Sequence, residues 1–147
     1  MGAQASIGDR LDVQDVITRY AIALDTRRPD QLDEVFLPDA RLDYRSIGGP
    51  LDAYPAVRAW LEAAMARFDS WQHLLGNFAI AVDGDRATAR TDLYNPLVGP
   101  EGVLHTGAVY EDELARTSDG WRIAARTVHL TWMDGPLPDG AAPPPTP

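Results

Sequence analysis

Cysteine and lysine are both missing from this sequence of 147 residues, and all 13 basic residues are arginine. Without cysteine there is no disulfide, no thiol nucleophile, no thiolate-bound zinc and no iron–sulfur cluster. Without lysine there is no Schiff-base chemistry and no phosphate-loop lysine. No apolar run approaches the roughly 20 residues of a membrane helix. Met1 to Gly8 lacks the basic and apolar regions of a secretory leader, so a cytoplasmic protein is expected. Positive charge is scarce: the formal net charge is −9, which disfavours nucleic acid and anionic membrane surfaces as partners. Gly-rich phosphate loops and a Gly-x-Ser-x-Gly elbow are absent too. The serines (Ser6, Ser46, Ser70, Ser118) fall in loops or termini.

Hydrophobic residues make up 45% and charged residues 24%, a balance that supports one domain with a sizeable core. Between Asp9 and Arg27, Leu11, Val16, Ile17, Tyr20, Ala21 and Leu24 recur at helical spacing. Asp9 or Asp12 is placed to cap this helix, Arg27 and Arg28 suit its last turn, and Pro29 stops it. Asp30 to Phe36 reads as a short helix closed by Pro38, and Ala40 to Tyr44 as a short strand. Gly48-Gly49-Pro50 is a loop, and Tyr54 to Phe68 is a third helix with Pro55 in its first turn. From Gln72 the period drops to two. Strands are predicted at 72–82, 86–97, 103–115 and 121–133, joined by Gly-containing turns. This order predicts an α+β domain over residues 1–135: a curved antiparallel sheet, cone-shaped, packed on three N-terminal helices around an apolar pocket. Residues 136–147, rich in Pro, Gly and Ala, are expected to form a disordered tail.

Few side chains in this pattern can carry chemistry. Tyr20 lies on the apolar stripe of the first helix, where a buried phenol needs a hydrogen-bond partner. Asp25 sits about 140° around the same helix; pairing with Arg27 or Arg28 is one reading, partial burial near the pocket another. His73 opens an otherwise apolar strand and is the natural general base near neutral pH. Arg126 lies on a strand with apolar bulk on both faces, so it must contact a ligand or pair with an acid such as Asp92 or Glu113. Arg90 and Asp92 share a face, as cross-strand partners or pocket lining. Leu42, Trp60, Phe68, Tyr94 and Leu130 are placed around the pocket, with Leu61 and Met65. His105 and His129 complete the histidines, but no local ligand spacing supports a metal site.

Taken together, several segments resemble one family. Asp12 to Asp25 is similar to the opening helix of SnoaL-like proteins, within the nuclear transport factor 2 superfamily. Phe36-Leu37-Pro38-Asp39-Ala40 resembles that family's F-x-x-D-A motif, and His73 to Asn77 its H-x-x-x-N strand start. Val82 to Ala87 resembles its hairpin, and Gly120 to Ile123 the start of its last strand. The branch it most resembles holds scytalone dehydratase, bile acid 7α-dehydratase and lindane dehydrochlorinase. The resemblance implies an Asp–His dyad at Asp25 and His73, a helix-one tyrosine at Tyr20 and a pocket arginine at Arg126. The dehydrochlorinase has a lysine where this chain has Tyr20, and the second catalytic histidine of scytalone dehydratase has no counterpart in Tyr94 to Val98.

The expected function is a cofactor-independent lyase of the dehydratase type, or a proton-transfer isomerase, on a small apolar cyclic substrate. His73, Asp25 and Tyr20 are its expected catalytic residues. Arg126, Tyr94, Asp92, Phe68, Leu42, Trp60 and Leu130 are its expected substrate contacts. A non-catalytic binding or adaptor module and a polyketide cyclase are the alternatives. The resemblance also implies a homo-oligomer, dimer or trimer, and the apolar Trp121 and Ile123 are expected on an outer interface.

Overall fold

The computed structural model describes residues 5–141. Helix α1 spans Ile7–Asp25 and is capped by Ser6, whose Oγ accepts from the Asp9 amide. A 3-10 helix (Pro29–Glu34) leads into β1 (Phe36–Asp43), followed by a 3-10 turn (Arg45–Ile47), β2 (Leu51–Ala53) and α2 (Tyr54–Met65). The remainder is sheet: β3 (Ser70–Trp71), β4 (Leu74–Asp83), β5 (Arg86–Gly99), β6 (Gly102–Thr117) and β7 (Gly120–Asp134). The sheet order is β2-β1-β7-β6-β5-β3, with β4 also pairing β5. The seven-stranded sheet is curved and does not close, and the helices pack on one face of it.

The sheet is mixed rather than wholly antiparallel, because β1 runs parallel to β7. Strand β1 also starts earlier than the sequence implies. Pro38 cannot donate to a ladder, yet it sits within β1, where the pairing with β7 breaks between Phe36 and Arg41. The strand predicted at 72–82 begins two residues later, at Leu74, and His73 lies in the gap between β3 and β4. Helix α1 ends at Asp25, and Arg27 takes a left-handed backbone (φ 57°) instead of a place in the last turn. Its side chain stacks on Trp71 at 4.0 Å and donates to the Asp69 carbonyl.

Bulges decide which side chains face inward. Between Glu113 and Leu114 the register with β7 slips, so that Leu114 faces Ile123 while Glu113 faces Ala125. One extra residue on β7 reverses the alternation. Trp121 and Ile123, expected on the outside, are therefore buried in the core, on the same side as Arg126 and Val128. The core runs from Val13, Ile17 and Leu24 of α1, through Leu32, Phe36 and Leu42, to Leu114 and Ile123.

Residues 136–141 follow the sheet and lie against the main cavity, where Leu137, Pro138, Gly140 and Ala141 form part of its lining. That portion of the expected disordered tail is packed; residues 142–147 lie outside the described residues. No helix among the described residues is long and apolar enough to cross a membrane.

Candidate functional site

The inner faces of β5, β6 and β7 and the face of α2 enclose a cavity of about 410 Å³. Its apolar walls come from Trp60, Leu61, Met65 and Phe68 on one side and from Leu93, Leu97, Leu104, Ala108 and Val128 on the other. Gly49 lets the wall close: a Cβ there would fall 2.7 Å from Tyr44 Cβ and 2.9 Å from the Trp60 ring. The polar lining consists of His73, Tyr20, Tyr44, Tyr110, Asn95 and Thr106, with Arg67 towards the rim. Among the described residues no aspartate or glutamate lines the cavity.

His73 is fixed by the end of α1. Its ring Nδ1 lies 2.7 Å from Asp25 Oδ1, and its backbone N–H donates to the same carboxylate at 3.0 and 3.2 Å. Because the gap between β3 and β4 frees this amide from the ladder, the carboxylate takes the place of a strand partner. An ionised carboxylate only accepts, so in the neutral imidazole Nδ1 carries the proton and Nε2 keeps a lone pair. The His73 side chain is 4% exposed and that of Asp25 is 25% exposed. Among the described residues Nε2 has no hydrogen-bond partner, and the ring lines the cavity. The alternative pairing of Asp25 with Arg27 or Arg28 is not formed; Arg28 pairs with Asp30.

Tyr20 meets the His73 ring edge-on, with centroids 6.1 Å apart. Its hydroxyl accepts from the Tyr44 hydroxyl at 3.0 Å, and both side chains are buried. Burial pushes Tyr20, Tyr44 and Tyr110 above the ordinary phenol range, against the opposing pull of the nearby Arg126 cation. All three are therefore neutral donors near pH 7.

Arg126 does not line the cavity. Its Nε and Nη2 donate to the two carboxylate oxygens of Asp112 at 2.7 and 2.8 Å, and neither side chain is exposed. The guanidinium carbon lies 4.3 Å from the Tyr20 ring centroid and 4.0 Å from that of Tyr110. Burial works against its charge, but Asp112 more than offsets this and holds Arg126 well above its ordinary value. The acid that pairs with it is Asp112, rather than Asp92 or Glu113.

Four other expected contacts also lie away from the cavity. Leu42 is buried in the core. Leu130 follows Val128 on β7 without joining the lining. Asp92 and Tyr94 occupy even positions of β5, and these point outward. Asp92 accepts there from Asn77 and Arg90, and Tyr94 stacks between His105 and Trp132. Trp60, Phe68, Tyr20 and His73 do line the cavity. Sequence reasoning missed Tyr44, Asn95, Thr106 and Tyr110. Asn95 and Tyr110 occupy inward positions of long strands, a signal that strict alternation could have supplied. His105 contacts Tyr94 and His129 contacts Glu111; among the described residues no three His, Asp or Glu side chains converge as metal ligands.

The chain matches the model of the SnoaL-like domain over residues 5–127. It is 45% identical over 125 residues to the uncharacterized protein Rv2910c of Mycobacterium tuberculosis, covering 83% of this chain and 85% of that one. A crystal structure of a proposed aromatic ring hydroxylase from Novosphingobium aromaticivorans superposes with a TM-score of 0.82 at 32% identity, over 91% of this chain and 97% of that one. A hexachlorocyclohexane dehydrochlorinase (LinA type 2) shares the fold, with a TM-score of 0.76 at 20% identity over 94% and 95% of the two chains. The chain belongs to the SnoaL-like domain family.

Proposed function

We propose that this protein is a general acid–base lyase carrying out a dehydratase-type β-elimination on a small, largely apolar cyclic substrate. The observation that carries the reading is the double contact of His73 with Asp25, which leaves Nε2 as a free base at the wall of an apolar cavity. Nε2 takes a proton from a carbon next to a carbonyl. The C–H electron pair becomes the new double bond, the β carbon–oxygen bond breaks, and the departing oxygen takes a proton from Tyr20 or from the His73 imidazolium and leaves as water. Asp25 fixes the tautomer and offsets the imidazolium charge. Tyr20, a neutral phenol beside the His73 ring, is the donor to the carbonyl or to the departing oxygen. The same base returning its proton to a different carbon would give an isomerase.

A panel of cyclic β-hydroxy ketones tests this, with formation of the enone followed by ultraviolet absorbance and α-carbon exchange by NMR in D2O. Wild type is expected to form enone or exchange the α proton, and His73→Gln to lose about 10²–10⁴-fold, the usual span for general acid–base catalysis. Wild-type binding of the panel with neither elimination nor exchange would make the chain a binding module instead.

We also assign self-association, as a dimer or trimer, to the outer sheet face that exposes Leu74, Tyr94, Val98 and Trp132. Sedimentation of wild type against Trp132→Glu reads this directly.

A further inference from the structure

We infer that Tyr110 is a further substrate-binding residue, presenting its hydroxyl proton to an anionic or polarised oxygen of the ligand, and that Arg126 is the residue that positions and polarises it. The ligand class is a planar molecule with an enolate-, phenolate- or carbonyl-type oxygen. This inference rests on the lyase reading only in equating that oxygen with the activated carbonyl; the oxygen site itself stands on separate observations.

Tyr110 lies in the middle of β6, paired with Thr91 of β5 and Val128 of β7, and is 2% exposed. Its hydroxyl has no hydrogen-bond partner within 3.5 Å among the described residues. Yet it is not among the sealed polar atoms without partners, which are Thr91 Oγ1, Trp121 Nε1 and Arg126 Nη1. The open side of Tyr110 is the cavity, which it lines together with Tyr20, Tyr44 and His73. Within this cluster the Tyr44 hydroxyl donates to the Tyr20 hydroxyl, which leaves the Tyr110 hydroxyl outside that hydrogen bond. Among the described residues the Tyr110 hydroxyl proton has no acceptor within hydrogen-bond distance.

Arg126 supplies the charge behind it. The guanidinium sits against the Tyr110 and Tyr20 rings, and Asp112 holds its plane with two charge-assisted hydrogen bonds. A cation against a phenol ring makes the hydroxyl a better donor. Because these side chains are buried and held in place, their dipoles need not reorganise as negative charge develops on the ligand oxygen. Among the described residues no acidic side chain lines the cavity to oppose that charge. Arg126 thus acts on the ligand through the tyrosines, without touching it.

The test uses 4-nitrophenol, titrated with the full chain across pH 5–9 while the phenolate absorbance near 400 nm is followed. The expected result is that bound dye ionises at lower pH than free dye. Tyr110→Phe, which keeps the ring, is expected to weaken phenolate binding about tenfold, the loss of one charge-assisted hydrogen bond. A folded Arg126→Gln variant, checked by circular dichroism, should ionise the bound dye at higher pH than wild type; a purely structural arginine would leave that profile unmoved. If Arg126→Gln does not fold, Tyr110→Phe alone decides. Wild-type failure to bind the dye, binding of the neutral phenol only, or unchanged binding in Tyr110→Phe would overturn the inference. Dye binding without elimination of any hydroxy ketone would leave the oxygen site standing and remove the lyase reading.

Discussion

Two nitrogens of His73, the backbone amide and ring Nδ1, fall on the one carboxylate of Asp25, at 3.0 and 2.7 Å. The contact joins residues 48 positions apart and ties the C-terminal end of α1 to the start of β4. A carboxylate held by one ring nitrogen alone could swing with the imidazole. Held also by a main-chain amide, it fixes both the ring's orientation and its tautomer.

The Arg126–Asp112 pair is a second place where charge is buried, and its energetics follow from isolation. Removing one partner strands the other without water. Asp112→Ala is expected to lower stability by about 3–5 kcal/mol in urea unfolding. The double variant Arg126→Met/Asp112→Leu should be less destabilised than either single change, because no lone charge remains. Single-variant losses under about 1 kcal/mol would show that the pair is not isolated as described.

Alkaline titration reads the tyrosine cluster. Burial raises Tyr20, Tyr44 and Tyr110 above the phenol range, so the folded state holds these protons more tightly than the unfolded one. Their contribution to stability is complete below about pH 10, the unfolded phenol value, and is lost as pH rises through the folded values. Tyrosinate absorbance near 295 nm from these three residues should therefore appear together with loss of the far-ultraviolet dichroism signal. Their ionisation in a protein that keeps its fold would contradict the burial.

Periodicity made most of the architecture legible. The stripe of α1, the switch to period two after Gln72 and the Gly turns locate the main helices and the long hairpins. Misplaced residues trace to breaks in regularity that single-residue patterns do not announce. The β7 bulge turned Trp121 and Ile123 inward, and the extra residue is an unremarkable alanine within Ala124-Ala125. The break in β1 admitted Pro38 into a strand, where local rules end a helix. At the site, Asp25 and His73 were legible through resemblance, but the hydrogen bonds of the β3–β4 gap that join them are tertiary. Arg126 was recognised as a buried arginine in need of a partner. Its acid, Asp112, is set by pairing with β6 rather than by sequence distance. Tyr44 and Tyr110 went unread because a lone inward tyrosine resembles any core aromatic until its hydroxyl's neighbours are known.

The most direct measurement is the tautomer of His73, read from imidazole ¹⁵N shifts in two-bond ¹H–¹⁵N correlation spectra of wild type and Asp25→Ala above pH 8. Wild type should show the proton on Nδ1 and an unprotonated Nε2, and Asp25→Ala should revert towards the Nε2–H form that free histidine favours. A wild-type ring already protonated on Nε2, or a spectrum unchanged by removing Asp25, would contradict the account: the cavity would then hold no free base, and the proposed elimination would have no proton acceptor.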